Sequence, residues 1–199
     1  MKLIRTEIPD VVIVEPAVFG DDRGWFSESY NARNFAQAMV ALGLPTPPEL
    51  VQDNHSCSRA GVLRGLHYQL EPHAQAKLVR VVQGRAWDVA VDIRPGSPTF
   101  GRWVGAELSA ANRLQLWIPA GFGHGFVAMD DDTHFLYKTS DYYARDCERA
   151  LRWNDPTLAI AWPLPADQAP LLAAKDAAAP SLADLSRSDL PAPWSAAAA

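Results

Sequence analysis

Residues 77–93 read KLVRVVQGRAWDVAVDI, two short β-rich runs on either side of the turn residues Gln83 and Gly84. In the second run the residues alternate, so that Trp87 and the valines can face one side. Alternation of this kind is typical of a strand that buries one face. We therefore interpret the segment as two β-strands joined by a turn.

The same pattern continues on both sides of this segment. Further β-rich runs are VLRGLHYQL (62–70), RWVGAEL (102–108), LQLWI (114–118), GFVAM (125–129), THFLYKTS (133–140) and ALRW (150–153). Short runs at such regular spacing favour a sandwich or a barrel. A parallel α/β fold would need crossovers of a dozen or more residues, and the gaps are too short for them. The prediction is a mainly β fold: a jelly-roll (cupin-like) β-sandwich or barrel with a few short helices.

One helix is predicted before these runs. Phe35, Met39 and Leu42 recur at helical spacing, and Asn31 or Asn34 can cap the first turn. Gly43 followed by a proline supplies the stop. Before this helix, the aromatic and glycine pattern of residues 19–29 suggests a turn that leads into an extended strand.

Composition narrows the class of partner. The chain has 199 residues, a net charge of -5 and no run of Lys or Arg, which argues against nucleic-acid and membrane partners. No stretch approaches the roughly 20 apolar residues of a membrane span, and the first residues lack a signal-peptide pattern. Cys57 and Cys147 lie outside any CxxC spacing and are read as free thiols. We expect a cytoplasmic protein with a small-molecule partner.

Length and composition also predict the domain organisation. The hydrophobic content of 48% suffices for one core, and we predict a single jelly-roll domain over residues 1–185. Beyond Trp162 the chain is rich in Pro and Ala, and residues 186–199 are predicted to be a low-complexity tail. The pair Lys175 and Asp176 interrupts this composition.

Candidate reactive side chains are densest in RGLHYQLEPHAQAKLVRV (64–81). On a strand, His67 and Tyr68 point to opposite faces, so only one of them can enter a given cavity. Histidine is a common general base near neutral pH, but a lone histidine on a strand can equally be structural. His124 lies among three glycines that either admit a ligand or simply turn a corner. Tyr137 is either a core aromatic or a proton donor.

A metal site is the other possibility that a cupin-like fold raises. Cupin metal sites typically begin with two histidines one residue apart and a Glu shortly after. Here His67 is followed by Tyr68 and Gln69, and His73 is six residues away. The spacing therefore predicts no metal site.

Ordered matches over about 175 residues resemble the dTDP-4-dehydrorhamnose 3,5-epimerase family. They run through FGDDRGWFSESYN, VQDNHSCS, GVLRGLHYQ, QAKLVRVVQG, LWIPAGFGHGF, FLYKTSDYYA, RWNDP and AAKDAAAP. The resemblance implies a jelly-roll homodimer with no metal and no cofactor. It also implies inversion of both carbons beside the keto group of dTDP-4-dehydro-6-deoxy-D-glucose, in dTDP-L-rhamnose biosynthesis.

Site residues follow from the same resemblance. It implies that His67 is the base, Asp176 its orienting partner, Lys77 the cation near the ketone oxygen and Tyr137 the proton donor. Implied contacts to the nucleotide sugar come from Arg23, Phe26, Glu28, Gln52, Asn54, Arg64, Lys77, His124, Tyr143, Glu148 and Lys175. Phe26 and Tyr143 are the candidate stacking surfaces for thymine. The N-terminal strands are expected to cross to the neighbouring subunit, where Arg23 and Glu28 complete its site.

Three alternatives stay open. A relative that inverts one carbon, or one in a different deoxysugar pathway, would share the fold and the base. A metal-dependent cupin enzyme would lose activity to a chelator. A binding module without catalysis would bind the nucleotide sugar without exchanging its hydrogens.

Overall fold

The computed structural model describes residues 1–165 and 168–195. The alanine run 196–199 of the predicted tail lies outside the described residues. The fold prediction is confirmed, because the described chain is mainly β and the helices are few and short.

Strands come in this order: β1 (Lys2–Arg5), β2 (Val12–Glu15), β3 (Val18–Asp21), β4 (Gly24–Ser27), β5 (Gln52–Ser58), β6 (Leu63–Gln69), β7 (Lys77–Gln83), β8 (Arg85–Asp92), β9 (Trp103–Ser109), β10 (Gln115–Ile118), β11 (Phe122–Ala128), β12 (Thr133–Thr139) and β13 (Glu148–Ala150). The helices are α1 (Ala32–Ala41), the short α2 (Ala174–Ala177) and single 3₁₀ turns at Arg145–Cys147, Leu182–Asp184 and Arg187–Asp189. No helix in the described ranges has the length and apolar character that a membrane crossing requires.

Two antiparallel sheets form the sandwich. The larger has the order β1-β2-β10-β7-β12-β5 and the smaller the order β13-β6-β11-β8-β9. Strands β3 and β4 form a separate hairpin. One apolar cluster fills the space between the sheets, with Val79, Leu108, Leu116, Phe126 and Phe135 among its members. The sheets therefore enclose an apolar interior on which a site can be built.

The alternation in β8 places its two faces as predicted. Trp87, Val89 and Val91 pack in a cluster on the outer side of the smaller sheet. Ala86 and Ala90 face the interior, and Asp88 lies on their side of the strand. The sequence pattern therefore leaves a carboxylate on the inner face.

Helix α1 begins as predicted. The Asn31 side chain accepts a hydrogen bond from the Asn34 backbone amide, so Asn31 is the N-cap. Phe35 and Met39 are buried against the larger sheet, next to Trp117. The helix ends two residues before Gly43, which has a left-handed φ of 76°.

Some strands differ from the predicted runs. β1, β2 and β5 were not predicted as strands, and the run at 150–153 contributes only Ala150 to a strand. β5 is the edge strand Gln52–Ser58, QDNHSCS, and contains no large apolar residue. Its regular pattern of burial comes from polar side chains, which a search for apolar alternation does not detect.

The described part of the predicted tail packs on the sandwich. The backbone oxygen of Asp189 accepts a hydrogen bond from the Tyr68 hydroxyl at 2.7 Å, and its side chain pairs with Arg149. The Trp194 amide donates to the Pro95 oxygen at 2.9 Å. The boundary at residue 185 itself stays a prediction.

Candidate active site

A cavity of about 500 Å³ opens between the two sheets. It brings together nine of the predicted site residues: Arg64, His67, Lys77, His124, Tyr137, Tyr143, Glu148, Lys175 and Asp176. These residues come from both sheets and from the segment after them. The fold thus gathers side chains that are far apart in sequence around one space.

His67 and Asp176 form a close polar pair in the cavity wall. Asp176 Oδ1 lies 2.6 Å from His67 Nε2, and the Asp176 side chain is 2% exposed. Burial raises the pKa of Asp176, but the hydrogen bond and charge of His67 outweigh that effect and leave the pKa below its ordinary value. Asp176 is therefore a carboxylate at neutral pH and fixes the orientation of the imidazole.

The segment that carries Asp176 is attached to strand β6. Leu171 forms a parallel bridge with Val62, its oxygen accepts the Leu63 amide at 3.0 Å, and its amide donates to the Gly61 oxygen at 2.8 Å. The Gly65 amide donates to Asp176 Oδ2 at 3.4 Å. These backbone contacts place the carboxylate beside a histidine 109 positions earlier in the chain.

Lys77 begins strand β7 and points into the same space. Its Nζ donates to the backbone oxygen of His67 at 3.2 Å, and the residue is 7% exposed. Burial lowers the pKa of Lys77 to about 8, although the charges of Asp88 and Glu148 oppose that shift. At neutral pH Lys77 is thus a buried cation.

Tyr137 enters the cavity from the larger sheet, whereas His67 belongs to the smaller one. It lies on β12, directly across from Val79 of β7, and packs against the interior cluster. Burial raises the pKa of Tyr137 above its ordinary value, so the phenol keeps its proton at neutral pH. The cavity therefore has a histidine on one sheet and a protonated phenol on the other.

His124 forms a second histidine–carboxylate pair. Its Nε2 lies 2.8 Å from Asp88 Oδ2, and both side chains are buried. Burial lowers the pKa of His124, despite the opposing charge of Asp88, so the ring is neutral at pH 7. Its strand neighbour across the sheet is His67.

The rim of the cavity carries paired charges. Lys175 Nζ donates to Glu148 Oε1 at 2.8 Å, and the Tyr143 hydroxyl donates to Glu148 Oε2 at 3.1 Å. Arg64 donates from Nε to the Ser58 hydroxyl at 3.1 Å. The mouth thus offers guanidinium and ammonium groups, which suit phosphate oxygens, beside an exposed aromatic ring.

Several predicted binding residues do not line this cavity. Arg23 pairs with Asp21 on the exposed β3–β4 hairpin, Phe26 of that hairpin is 67% exposed, and Glu28 accepts hydrogen bonds from two asparagine side chains. Gln52 and Asn54 are hydrogen-bonded to each other on β5, and Gln52 accepts the Tyr143 amide at 3.0 Å. Gln52 and Asn54 therefore do not face the cavity, but Gln52 holds the backbone of the rim residue Tyr143.

Sequence reasoning missed other lining residues. These are Ser56, Arg59, Gln75, Leu171, Leu172 and Ala173. It also missed Asp88, which does not line the cavity but is buried and paired with His124. Ser56 belongs to β5, which was not predicted, and the two leucines lie in the Pro- and Ala-rich segment beyond Trp162, where no element was predicted. The signal for Asp88 was present, since it is a carboxylate on the inward face of an otherwise apolar strand.

No group of three or more His, Cys, Asp or Glu side chains in residues 1–165 and 168–195 is arranged to hold a metal ion. The expectation of a metal-free enzyme stays a prediction.

Comparisons with known proteins point to one family. The family model for dTDP-4-dehydrorhamnose 3,5-epimerase matches residues 5–184. A dTDP-4-dehydrorhamnose 3,5-epimerase from Shigella flexneri is 56% identical over 176 residues, which cover 88% of this chain and 93% of the relative.

Solved structures agree in fold. The dTDP-6-deoxy-D-glucose-3,5-epimerase of Legionella pneumophila, in complex with dTDP-4-keto-L-rhamnose, superposes with a TM-score of 0.89 at 46% identity over 98% of this chain and 99% of its own. A 3'-monoepimerase from Streptomyces bikiniensis, in complex with dTDP-quinovose, gives a TM-score of 0.85 at 37% identity over 96% and 93%.

A histidine oriented by a carboxylate, a buried cation and a protonated phenol in one cavity can remove and return a proton beside a carbonyl group. The family model covers nearly the whole chain, and the relative from Shigella flexneri covers 88% of it at 56% identity. The chain is therefore an isomerase that belongs to the dTDP-4-dehydrorhamnose 3,5-epimerase family.

Proposed function

We propose that this enzyme inverts the carbons on both sides of the keto group of dTDP-4-dehydro-6-deoxy-D-glucose. The product is dTDP-4-dehydro-L-rhamnose, and the pathway is dTDP-L-rhamnose biosynthesis in the cytoplasm. The observation that carries the proposal is the His67–Asp176 pair, 2.6 Å apart, in a cavity that also receives Tyr137 from the opposite sheet.

Each inversion begins with proton removal. The hydrogen on a carbon beside a ketone is acidic because the resulting carbanion delocalises into an enolate. His67 takes this proton and becomes an imidazolium, which the Asp176 carboxylate stabilises at 2.6 Å. The negative charge that develops on the ketone oxygen is stabilised by the Lys77 ammonium.

Each inversion ends with proton return from the other face. Tyr137 donates its phenolic proton to the enolate carbon, and solvent later returns a proton to the phenolate and removes one from His67. No atom changes its oxidation state overall, so the reaction requires no redox cofactor. We also propose that it requires no metal, because Lys77 supplies the positive charge at the oxygen.

The nucleotide part is assigned to the rim and to a second subunit. Arg64, His124, Glu148 and Lys175 contact the diphosphate and sugar, and Tyr143 stacks on thymine. Phe19, Trp25 and Phe26 of the β3–β4 hairpin are 59–67% exposed, a surface that favours contact with a second copy. In the proposed homodimer this hairpin crosses over, so that Arg23, Phe26 and Glu28, with Gln52 and Asn54 of the rim, complete the nucleotide site.

The test is proton NMR of the substrate with the enzyme in deuterium oxide. The wild type is expected to exchange the hydrogens on both carbons beside the ketone. His67→Asn should lose both exchanges by at least about a hundredfold, since general bases contribute rate factors of this size. His73→Asn is the matched control, because His73 lies outside the cavity and pairs with the exposed Asp141.

Other outcomes distinguish the alternatives. Full exchange by His67→Asn would contradict the base assignment. Exchange at one carbon only in the wild type would indicate a one-carbon epimerase, the class of the 3'-monoepimerase from Streptomyces bikiniensis. Exchange that a chelator abolishes would favour the metal-dependent cupin, and binding without exchange would favour a binding module.

A further inference from the structure

Asp88 is a buried carboxylate that the mechanism above does not use. It is 0% exposed on the inner face of β8, between Ala86 and Ala90, which belong to the apolar interior. Removing a carboxylate from water is costly unless partners compensate, and an apolar residue of similar size is often at least as stable in such a place. A carboxylate at this position therefore calls for an explanation in its contacts.

One carboxylate oxygen determines the tautomer of His124. Oδ2 can only accept, so His124 Nε2, 2.8 Å away, must donate its hydrogen. The ring is neutral, because burial lowers the pKa of His124. Its other nitrogen, Nδ1, is then unprotonated and accepts hydrogen bonds. A residue of the cavity wall is thereby prepared to receive a hydroxyl group of a sugar.

The other carboxylate oxygen has no partner of its own. Within residues 1–165 and 168–195, Asp88 Oδ1 has no hydrogen-bond partner, although the atom is fully buried. The Lys77 ammonium is near enough for the charge of Asp88 to raise its pKa. The Lys77 ammonium itself donates a hydrogen bond to the His67 oxygen at 3.2 Å.

We propose that Asp88 is a positioning residue of the epimerase site. Through Oδ2 it holds His124 as an acceptor for a sugar hydroxyl, and its buried, unpartnered oxygen Oδ1 offers the Lys77 ammonium a negative neighbour beside the developing enolate. The inference rests on the proposed function, since it specifies how two of that site's groups are held ready. Asp88 acts through His124 and Lys77 and does not touch the substrate.

The decisive variant is Asp88→Asn, which keeps the shape and removes the charge. Lys77 must be protonated to stabilise the enolate, so kcat/KM should fall on the basic side as Lys77 loses its proton, near pH 8 in the wild type. Losing a neighbouring negative charge lowers the pKa of a lysine. The fall of kcat/KM on the basic side of the pH profile, the basic limb, should therefore begin about one pH unit lower in the variant. Near pH 8, its kcat/KM should be roughly tenfold below its own plateau value at lower pH.

The other charged groups that act on Lys77 are Glu148, which raises its pKa, and Lys175, which lowers it. Both are unchanged in the variant, so the shift reports on Asp88. The matched control is Asp130→Asn, which removes an exposed carboxylate paired with Arg85 outside the cavity. Its basic limb should coincide with that of the wild type. A merely structural Asp88 would lower activity equally at every pH.

A second measurement needs no variant and covers the case in which Asp88→Asn does not fold. Two-bond nitrogen–proton NMR of the wild type at pH 7 reports which nitrogen of His124 carries the hydrogen. The expected result is a neutral ring protonated on Nε2. A ring protonated on Nδ1, or a cationic ring, would overturn the proposal, as would an unshifted basic limb in folded Asp88→Asn. Absence of hydrogen exchange in the wild type would instead refute the proposed function.

Discussion

His67 and Tyr137 reach one cavity from opposite sheets, and this placement determines what each can do. His67 lies on β6 with Asp176 behind its ring, whereas Tyr137 lies on β12 with its phenol protonated by burial. Groups on opposite walls can act on opposite faces of a flat enolate. In the proposed mechanism, removal and return of the proton are therefore separate steps, and the return can be lost while the removal persists.

Tyr137→Phe should separate the two steps. The base stays intact, so the hydrogens beside the ketone should still exchange with deuterium oxide. His67 would return the deuteron to the face from which it took the proton, and inversion should fall by at least about a hundredfold. Proton NMR would show deuterium in the recovered substrate with no new sugar configuration.

A full rate of inversion by Tyr137→Phe would contradict the assignment of the donor. Tyr142→Phe is the control, since Tyr142 is 63% exposed and does not line the cavity. It should behave like the wild type in both exchange and inversion.

The alternation of side chains along a strand predicted part of this site from the sequence. Adjacent residues of a strand face opposite ways, so the sequence predicts that only one of His67 and Tyr68 enters a cavity. In the structure the His67 side chain lines the cavity. The Tyr68 side chain is 3% exposed, and its hydroxyl donates to the Asp189 oxygen. The choice between the two was not predictable from local pattern, because it depends on what packs on each face.

At the scale of elements, the contact between β6 and β11 holds the two histidines together. Gly65 has a φ of 128°, and a Cβ there would lie 2.5 Å from the Gly125 Cα and 2.7 Å from the His124 oxygen. The two strands approach so closely that no side chain fits between them. His67 and His124 are direct partners in the same ladder, so any separation of the strands displaces both.

Gly65→Ala should therefore destabilise the fold and the site together. Backbone atoms cannot move aside as a flexible side chain would, and the left-handed φ adds strain. We expect a loss of at least about 2 kcal/mol in the free energy of unfolding, measured by urea denaturation. Activity of the folded fraction should fall as well.

Gly96→Ala provides the comparison. Gly96 also has a positive φ, 80°, but a Cβ there would meet nothing within 4 Å. Its cost should be limited to roughly 1 kcal/mol of backbone strain, with activity unchanged. Equal losses in the two variants would mean that the close approach of the strands is unimportant.

Apolar periodicity predicted the central strands and helix α1, because those elements owe their burial to apolar side chains. It missed β5, whose alternating residues are polar. Asp176 was predictable only by resemblance, because the backbone bridge between Leu171 and Val62 that places it leaves no mark in composition. Elements that depend on polar packing or on long-range backbone bridges are therefore not predicted by the local sequence pattern.

At the scale of the whole molecule, the β3–β4 hairpin stands apart, because it is paired with neither of the two large sheets. Its aromatic residues are exposed, although Arg113 lies over the Trp25 ring at 4.5 Å. Arg23 belongs to the turn of the same hairpin, pairs with Asp21 and does not line the cavity of its own chain. In the proposed dimer each complete site combines His67 of one chain with Arg23 of the other.

Mixing two inactive variants tests this arrangement. In a heterodimer of His67→Asn with Arg23→Ala, one site carries both defects and the other carries neither. Random exchange of subunits makes half of the dimers mixed, so about a quarter of the sites should regain wild-type activity. The measurement is the epimerisation rate before and after the two proteins are unfolded and refolded together.

If Arg23 served the cavity of its own chain, every site in the mixture would carry one defect and activity would not return. Two His67→Asn preparations refolded together are the control, and they should stay inactive.

His67 and Asp176 are 109 positions apart in the sequence, so the ribosome adds them to the chain at different times. Translation proceeds from the N-terminus, so the histidine leaves the ribosome long before its carboxylate does. A nascent chain that stops short of Leu171 already contains all thirteen strands seen in the described residues, yet it lacks Asp176, which orients the imidazole. We therefore expect prematurely terminated copies to be inert toward sugar nucleotides, so that synthesis itself keeps unfinished protein out of metabolism.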